Sequence, residues 1–430
     1  MLKNPRRNFR SNDKTKPRLR FFENAAGQQH IPEKDKYLYA VTPPTHRLAI
    51  IGTGTIGQEH MRVARLLGRA AVHGIFDSEQ RSIDVALANF AALETGLPEG
   101  QRHPVPIVYP SLDSVCNDPA IDALMICTPN YTHFDVLQVA MASGKPIFLE
   151  KPMATTLSDA AATVALARSY ASFVQIGLQY RYKAQYVESL HEALTRKSVG
   201  EIRMISMSEY RPPFLDKVGQ WNKFNDQSGG TLVEKCCHYF DLINLFAGAR
   251  PARVYASAGQ SGVFDALTRD GRKSDIDDNA FVVIDYDNGC RANFTLNMCS
   301  PDFTEELCVV GTKGRLIASE RFDMHHAQEA KTSLSLELGE HGASREVALG
   351  YASVIEKSGH HGATYFEHAA FLDRLEGLGG NAATPEQGLW SMLVASAAQE
   401  SSKTGDAVDL TGFIAANGLA EALGVSTVSD

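Results

Sequence analysis

The segment "RLAIIGTGTIGQEHMRVARLLG", residues 47–68, constrains the fold of this chain more than any other. Gly52, Gly54 and Gly57 have the spacing G-x-G-x-x-G, with a short apolar run before them and apolar residues at helical spacing after them. In such a segment the first glycine permits a tight turn, and the third permits close packing of a helix on a strand. The segment therefore predicts a strand, a tight turn and a helix.

The same alternation continues to Gly177. Runs of strand length alternate with segments that have helical spacing; these runs are "AAVHGIFD", "IVYP", "ALMICTP", "PIFLEKP" and "FVQIG". Strands that alternate with helices indicate an α/β fold in which a parallel sheet is doubly wound, with helices on both faces. We expect this domain to span residues 46–177.

A different pattern follows from residue 178. Consecutive strand-like runs such as "ARVYASAG", "NAFVVIDYDNG" and "CRANFTLNM" have no helix between them, and two helical segments come near the end of the chain. Runs of strands without intervening helices indicate a large, mostly antiparallel sheet that is open on one face. Residues 178–430 are therefore predicted to form an α+β domain.

Length and composition limit the class of protein. A chain of 430 residues favours two domains, and it has no apolar run long enough to span a membrane. Its seven cysteines lack the spacing of a disulfide framework, which predicts reduced thiols and a cytoplasmic location. Residues 1–45 are predicted to be a flexible basic arm, but no nucleic-acid-reading motif follows this arm, so we expect no nucleic acid partner.

The glycine-rich turn also predicts a cofactor. Its second glycine lets a pyrophosphate approach the backbone, and the following helix offers free N–H groups; the expected contacts are Gly52, Gly54, Thr55, Ile56 and Gly57. Asp77 lies twenty residues beyond Gly57, at the predicted tip of the second strand. A carboxylate there accepts hydrogen bonds from the ribose hydroxyls of NAD and repels the 2′-phosphate of NADP. NAD is favoured, although the nearby Arg81 leaves NADP open.

Several motifs occur in order along the chain, among them "AIIGTGTIGQEH", "LEKP", "GLQYRY", "GTKGRL" and "GHHGATYFEH". With them the chain, from about Arg47 to its end, resembles the Gfo/Idh/MocA family of nicotinamide-dependent dehydrogenases (glucose–fructose oxidoreductase, inositol dehydrogenase). The resemblance implies a Rossmann domain followed by a domain whose open sheet often forms a dimer or tetramer interface. It also implies that the substrate lies between the two domains.

The resemblance further implies a catalytic set of Lys151, Glu234 and His238, although Glu234 and Cys236 depart from the usual D-x-G-x-H form. Other residues are expected to contact ligands, with plain turn or packing roles as the alternative. For the cofactor these are Thr128, Pro129, Asn130, His133, Glu150 and Lys151; for the substrate they are Tyr180, Arg181, Trp221, Asp241 and His360.

The octapeptide "EKCCHYFD", residues 234–241, fits this chemistry. In a continuous helix Glu234, His238 and Asp241 share one face, and a histidine suits proton acceptance because its ordinary pKa is near neutral. The adjacent cysteines would diverge by about 100° around the helix, which disfavours both a zinc site and a redox pair. We therefore expect no metal site and a buried, inert Cys236.

Three functions remain open from the sequence. The first is NAD-dependent oxidation of a secondary hydroxyl of a sugar, cyclitol or related polyol, with His238 as proton acceptor and Lys151 on the substrate oxygen. The second keeps the cofactor bound in a redox cycle for elimination, epimerisation or glycoside cleavage. The third is a non-catalytic NAD-binding sensor. A homodimer or homotetramer is expected in each case.

Overall fold

The computed structural model describes residues 44–97, 99–323, 330–380 and 382–426. All but the last two residues of the predicted basic arm lie outside these ranges. No helix within them is long and apolar enough to cross a membrane.

The first part of the chain forms a six-stranded parallel sheet in the order β3-β2-β1-β4-β5-β6. Its strands are β1 (His46–Ile51), β2 (Ala70–Phe76), β3 (Ile107–Val108), β4 (Ala123–Ile126), β5 (Ile147–Glu150) and β6 (Val174–Gly177). The helices between them are α1 (Thr55–Leu67), α2 (Gln80–Thr95), α3 (Leu112–Asn117), α4 (His133–Met141) and α5 (Leu157–Ser169). The predicted doubly wound domain is confirmed.

Strands β4, β5 and β6 are buried along their whole length, which explains why they read as continuous apolar runs. Because all six strands are parallel, their carboxyl ends meet at one edge of the sheet. This edge carries the glycine-rich turn after β1, Thr128 after β4 and Lys151 after β5. Ligands of open α/β sheets bind at this edge.

The second part contains a nine-stranded sheet in the order β16-β15-β14-β13-β7-β12-β11-β8-β17. Its strands are β7 (Ile202–Tyr210), β8 (Pro251–Gly259), β11 (Asn279–Tyr286), β12 (Arg291–Asn297), β13 (Phe303–Gly311), β14 (Gly314–Phe322), β15 (Lys331–Glu337), β16 (Arg345–Leu349) and β17 (Val408–Asp409), while β9 (Thr268–Arg269) and β10 (Arg272–Lys273) form a separate hairpin. Only β7 and β12 pair in parallel. The predicted, mostly antiparallel sheet is confirmed.

The remaining helices are α6 (Ala184–Leu190), α7 (Asn225–Ser228), α8 (Thr231–Glu234), α9 (Cys237–Ala247), α10 (Ser353–Glu356), α11 (Ala363–Leu375), α12 (Pro385–Thr404), α13 (Leu410–Ala416) and α14 (Ala420–Leu423). They leave one face of the large sheet open. Along β11, for example, Val282 and Ile284 are buried whereas Phe281 and Val283 are exposed. This alternation is typical of a sheet with one solvated face.

The end of the chain returns to the first sheet. The backbone N–H of Ile176 in β6 donates to the carbonyl of Ala383, and Arg168 in α5 donates to the carbonyls of Glu421 and Ala422. Helix α11 also packs against α1. The predicted domain boundaries at residues 46, 178 and 430 therefore stay a prediction, since the last helices contact both sheets.

The octapeptide of residues 234–241 is not one continuous helix, so that part of the prediction was wrong. Helix α8 ends at Glu234, Lys235 and Cys236 form a turn, and α9 begins at Cys237. No proline or glycine marks this break. Lys235 and Cys236 keep right-handed helical backbone angles at this break, and the side chains of Glu234 and Asp241 have different partners.

Candidate active site

The glycine-rich turn has the geometry that a bound pyrophosphate needs. Gly52 has a φ of +95°, and a Cβ there would lie 2.6 Å from the backbone of Cys127. A side chain on Gly57 would collide with the carbonyl oxygen of Gly52, whereas one on Gly54 would meet nothing within 4 Å. Gly54 is the N-cap of α1, and no side chain caps this terminus. The first turn, with Thr55 and Ile56, can therefore offer its N–H groups to phosphate oxygens.

Asp77 lies directly after β2 and is tied to this turn. Its Oδ2 accepts hydrogen bonds from the backbone N–H (2.6 Å) and hydroxyl (3.0 Å) of Thr53, and its Oδ1 accepts from the N–H of Glu79 (2.9 Å). A carboxylate has about four acceptor positions, so these three bonds leave capacity for a ribose hydroxyl. The residues of the turn and Asp77 thus fit a dinucleotide.

The strand ends of β4 and β5 are joined by His133. Its Nδ1 lies 2.8 Å from the carbonyl oxygen of Pro152, and its Nε2 lies 2.9 Å from that of Thr128. Burial lowers the pKa of His133, so the neutral ring donates to one of these carbonyls. The ring therefore has a structural role here, and its predicted contact with the cofactor stays a prediction.

The other predicted residues of this edge have partners as well. Thr128 accepts a hydrogen bond from Thr132, and the Asn130 amide donates to the carbonyl of Ser228 in the second part of the chain. Pro129 begins a short 3-10 turn. Their position at the carboxyl edge is the one expected for cofactor contacts, which stay a prediction.

Lys151 connects the two parts of the chain. Its Nζ donates a 2.7 Å hydrogen bond to the backbone carbonyl of Glu234 and lies 3.8 Å from Oε1 of the same residue. The same Oε1 lies 3.5 Å from Nζ of Lys217. Burial by itself would raise the pKa of Glu234, but the charges of Lys151 and Lys217 bring it down to about 2. The carboxylate is therefore ionised. Burial by itself would lower the pKa of Lys151, but the charge of Glu234 outweighs burial and raises this pKa.

His238 is buried, and its ring stacks on Tyr180 with the centroids 4.2 Å apart and the planes 9° apart. Its Nδ1 has no hydrogen-bond partner among the residues that the structure describes. Burial and, after it, the charges of Lys151 and Lys235 hold the pKa of His238 well below its usual value. The imidazole is therefore neutral at physiological pH and can accept a proton.

The hydroxyl of Tyr180 is held in place by a buried lysine. Nζ of Lys235 donates to its hydroxyl at 2.5 Å and lies 3.1 Å from the carboxylate of Glu209. Both Lys235 and Glu209 are buried. Because the Tyr180 ring is the surface on which His238 stacks, this chain of contacts fixes the orientation of the imidazole.

Arg181 and Asp241, both predicted to contact the substrate, bind each other. Nε and Nη2 of Arg181 donate to the two carboxylate oxygens of Asp241 at 2.6 and 2.5 Å, and Nη1 donates to Gln387.

Trp221 is buried, and Nζ of Lys217 lies 4.4 Å from its ring centroid. His360 pairs with Glu59 of α1 at 2.7 Å and remains 30% exposed. Direct substrate contacts by these residues stay a prediction.

Sequence reasoning missed a buried chain of hydrogen bonds beside Lys151. Nε2 of His60 lies 2.7 Å from Oε1 of Glu150, and its Nδ1 lies 2.6 Å from Nε2 of His368 in α11. Oε2 of Glu150 in turn accepts from the backbone N–H of Lys151. The only signal in the sequence was a histidine preceded by a glutamate in each of the motifs "GQEH" and "YFEH".

The seven cysteines are all free, and burial raises the pKa of the Cys237 thiol to about 12. Cys236, for which an inert buried role was expected, is fully buried, and burial raises its pKa as well. Within residues 44–97, 99–323, 330–380 and 382–426, no group of three or more His, Cys, Asp or Glu side chains could hold a metal ion.

A doubly wound sheet with this glycine turn, with Lys151 at its carboxyl edge in contact with Glu234 of the following part of the chain, defines a dinucleotide-dependent oxidoreductase. Two family descriptions match the chain: "Oxidoreductase family, NAD-binding Rossmann fold" over residues 46–178, and "Oxidoreductase family, C-terminal alpha/beta domain" over residues 191–410. The chain belongs to the Gfo/Idh/MocA oxidoreductase family, as its motifs predicted.

Individual relatives share about a quarter to a third of their residues with this chain over the aligned part. Trans-1,2-dihydrobenzene-1,2-diol dehydrogenase of Sus scrofa is 25% identical over 273 residues, 62% of this chain and 72% of the relative. Inositol 2-dehydrogenase of Acidiphilium cryptum (strain JF-5) is 31% identical over 170 residues, 39% of this chain and 46% of the relative. The structure of aldose-aldose oxidoreductase from Caulobacter crescentus has a TM-score of 0.65 and 18% identity, and the match covers 85% of this chain and 99% of that chain. This last likeness shows the fold alone.

Proposed function

We propose that this oxidoreductase oxidises a secondary hydroxyl of a sugar, cyclitol or related polyol with NAD. The observation that carries the proposal is the contact of Lys151, at the carboxyl end of β5, with Glu234, four residues before His238. This contact joins Lys151, at the edge of the sheet where the dinucleotide turn lies, to the segment that carries the neutral imidazole of His238. When bound, NAD supplies the acceptor for the hydride that leaves the carbinol carbon.

The roles of the protein side chains follow from their charge states. His238 accepts the hydroxyl proton, because it is neutral and its Nδ1 has no partner among the described residues. Lys151 keeps its charge and stabilises the negative charge that develops on the substrate oxygen. Glu234 positions Lys151 through its backbone carbonyl. Among the described residues, no hydrogen bond joins Glu234 to His238.

Asp77 supports NAD over NADP. Its carboxylate lies at the tip of β2 beside the glycine turn, where a 2′-phosphate would meet its negative charge. Arg81, the nearest candidate partner for such a phosphate, is exposed on α2. We infer that the ribose hydroxyls of NAD take up the remaining acceptor capacity of Asp77.

The substrate class draws support from the relatives, which include dehydrogenases of a cyclic diol and of inositol. Both names describe oxidation of a secondary hydroxyl on a six-membered ring. We expect such a ligand to contact Lys151, His238 and Trp221, which together offer polar groups and an aromatic ring.

We also propose that the open sheet joins copies of this chain. Met204 in β7, Tyr255 in β8 and Phe281 and Val283 in β11 expose 57%, 47%, 63% and 45% of their surface on the outer face. Tyr255 and Val283 are direct cross-strand partners, and Phe281 lies on the same face of β11, so these three residues form an apolar area. Met204 lies apart from them, opposite Arg291 of β12. Exposed apolar areas of this kind are typical of protein interfaces.

The function is tested with a panel of sugars, inositols and uronic acids, each with NAD and with NADP, in which the reduced cofactor is followed by absorbance. Oxidation of at least one compound with stoichiometric release of NADH is expected. Product formation without net NADH, from protein that retains its cofactor, would instead indicate the internal redox cycle. No turnover on any member of the panel while NAD still binds would contradict the proposed dehydrogenase.

A further inference from the structure

Several cations of the candidate active site surround one carboxylate. Four cations act on the carboxylate of Glu234, namely Lys151, Lys217, Lys235 and Arg211. A second carboxylate, Glu209, lies below them, 3.1 Å from Nζ of Lys235 and 3.4 Å from Nη1 of Arg211. Glu150 also acts on Lys151 and Lys217, and Glu305 acts on Lys235. In this largely buried region a poorly paired charge is costly.

Lys217 is the cation with the weakest pairing. Its Nζ has one carboxylate oxygen at 3.5 Å, Oε1 of Glu234, and shares that oxygen with Lys151. Its other close neighbour is the ring of Trp221. Burial lowers the pKa of Lys217, and the charge of Glu234 only partly opposes this. The side chain is still 29% exposed, so a ligand can reach it.

The loop that carries Lys217 is held in a fixed conformation. Nζ of the buried Lys223 donates to the carbonyls of Phe214 and Leu215 and to the carboxylate of Asp216. The amide of Asn222 donates to the carbonyl of Leu215 as well. Lys217 therefore approaches Glu234 from a preorganised segment, which reduces the entropy lost when a ligand binds.

We propose that the substrate of this site carries a negatively charged group, a carboxylate or a phosphate, which Lys217 binds beside Lys151 and Glu234. This inference rests on the proposed oxidation of a polyol and narrows its substrate to acidic sugars or polyols. The anion gives Lys217 a closer charged partner than the shared oxygen of Glu234, and Trp221 packs against the same ammonium group.

Binding of an anion also affects His238. The neighbouring cations Lys151 and Lys235 disfavour the protonated imidazole, and a negative group nearby offsets their charge. The pKa of His238 then rises toward its ordinary value, which makes the ring a stronger proton acceptor. An acidic substrate thereby improves the base that its own oxidation requires.

The test is isothermal titration calorimetry on the NAD-loaded, full-length enzyme with D-glucose, D-glucuronate and D-glucose 6-phosphate. We expect at least one anion to bind about tenfold or more tightly than glucose, as one charged hydrogen bond predicts. The affinity of that anion should fall as salt is added. The two anionic sugars also tell a carboxylate from a phosphate.

Three variants accompany the wild type. Lys217→Met should remove the preference for the anion, and Lys217→Arg, which keeps the charge, should retain most of it. Lys313→Met makes the same change at an exposed lysine in the β13–β14 turn and should have no effect. Thermal melting of each variant checks that it is folded.

Equal binding of glucose and both anions, no binding of either anion, or an anion preference that survives in Lys217→Met would overturn the inference. Turnover is measured separately on the same samples. If an anion binds in the expected way but no NADH forms, the anion site stands and the proposed oxidation fails. If neutral sugars are oxidised and bind as tightly as the anions do, the proposed oxidation stands and the anion site fails.

Discussion

Nζ of Lys151 donates a hydrogen bond of 2.7 Å to the backbone carbonyl of Glu234. Because this bond uses the backbone, it does not depend on which carboxylate occupies position 234. The glutamate in place of the usual aspartate is therefore compatible with a correctly placed Lys151. Its longer side chain instead reaches Lys217, which links Lys151 to the loop of residues 214–220.

Replacement of His238 by alanine should lower kcat by about 10²- to 10⁴-fold, because the proton acceptor is lost. The dinucleotide turn is separate from this ring, so the affinity for NAD should not change. Initial rates and calorimetric titration with NAD measure the two effects. His341→Ala, at an exposed histidine of the large domain, is the matched control. Wild-type rates in His238→Ala would exclude this residue as the base.

The pH dependence of kcat/KM should reflect the low pKa of His238. Since burial and the nearby cations disfavour the imidazolium, the acid limb is expected below pH 6.5. Lys235→Met removes one of these cations, which favours the protonated ring and should move the limb to higher pH. Lys313→Met should leave it in place. A limb that stays fixed or moves to lower pH in Lys235→Met, in protein with an unchanged circular dichroism spectrum, contradicts this account.

Asp77→Asn should weaken discrimination between the two nicotinamide cofactors. The substitution removes the negative charge that repels a 2′-phosphate, so the ratio of kcat/KM for NAD to that for NADP should fall about tenfold. Asp84→Asn makes the same change at an exposed position of α2 and should leave the ratio unchanged. An unaltered ratio in Asp77→Asn would argue against a ribose contact.

Phe281→Asp places a charge in the middle of the exposed apolar area of the large sheet. If this face joins two copies of the chain, the charge should dissociate them at micromolar concentration, because a buried unpaired carboxylate is costly. Size-exclusion chromatography with light scattering measures the mass. Val85→Asp, on the exposed side of α2, controls for the added charge. An oligomer of unchanged mass would locate the interface elsewhere.

Local sequence patterns predicted the parts of this protein that depend on short-range physics. The strand, turn and helix of residues 47–68 follow from glycine conformations and apolar spacing, and Asp77 follows from the length of one βα unit. These features need no knowledge of distant residues.

Only the tertiary structure decided how the charged side chains pair. The break at Lys235 and Cys236 has no proline or glycine to signal it, and the pairing of Glu234 with Lys151 and Lys217 and of Asp241 with Arg181 has no signal in the sequence either. Lys217 lies in a loop whose course depends on Lys223. Such pairings join residues far apart in sequence, and they form because a buried charge must find a partner wherever the fold brings one near.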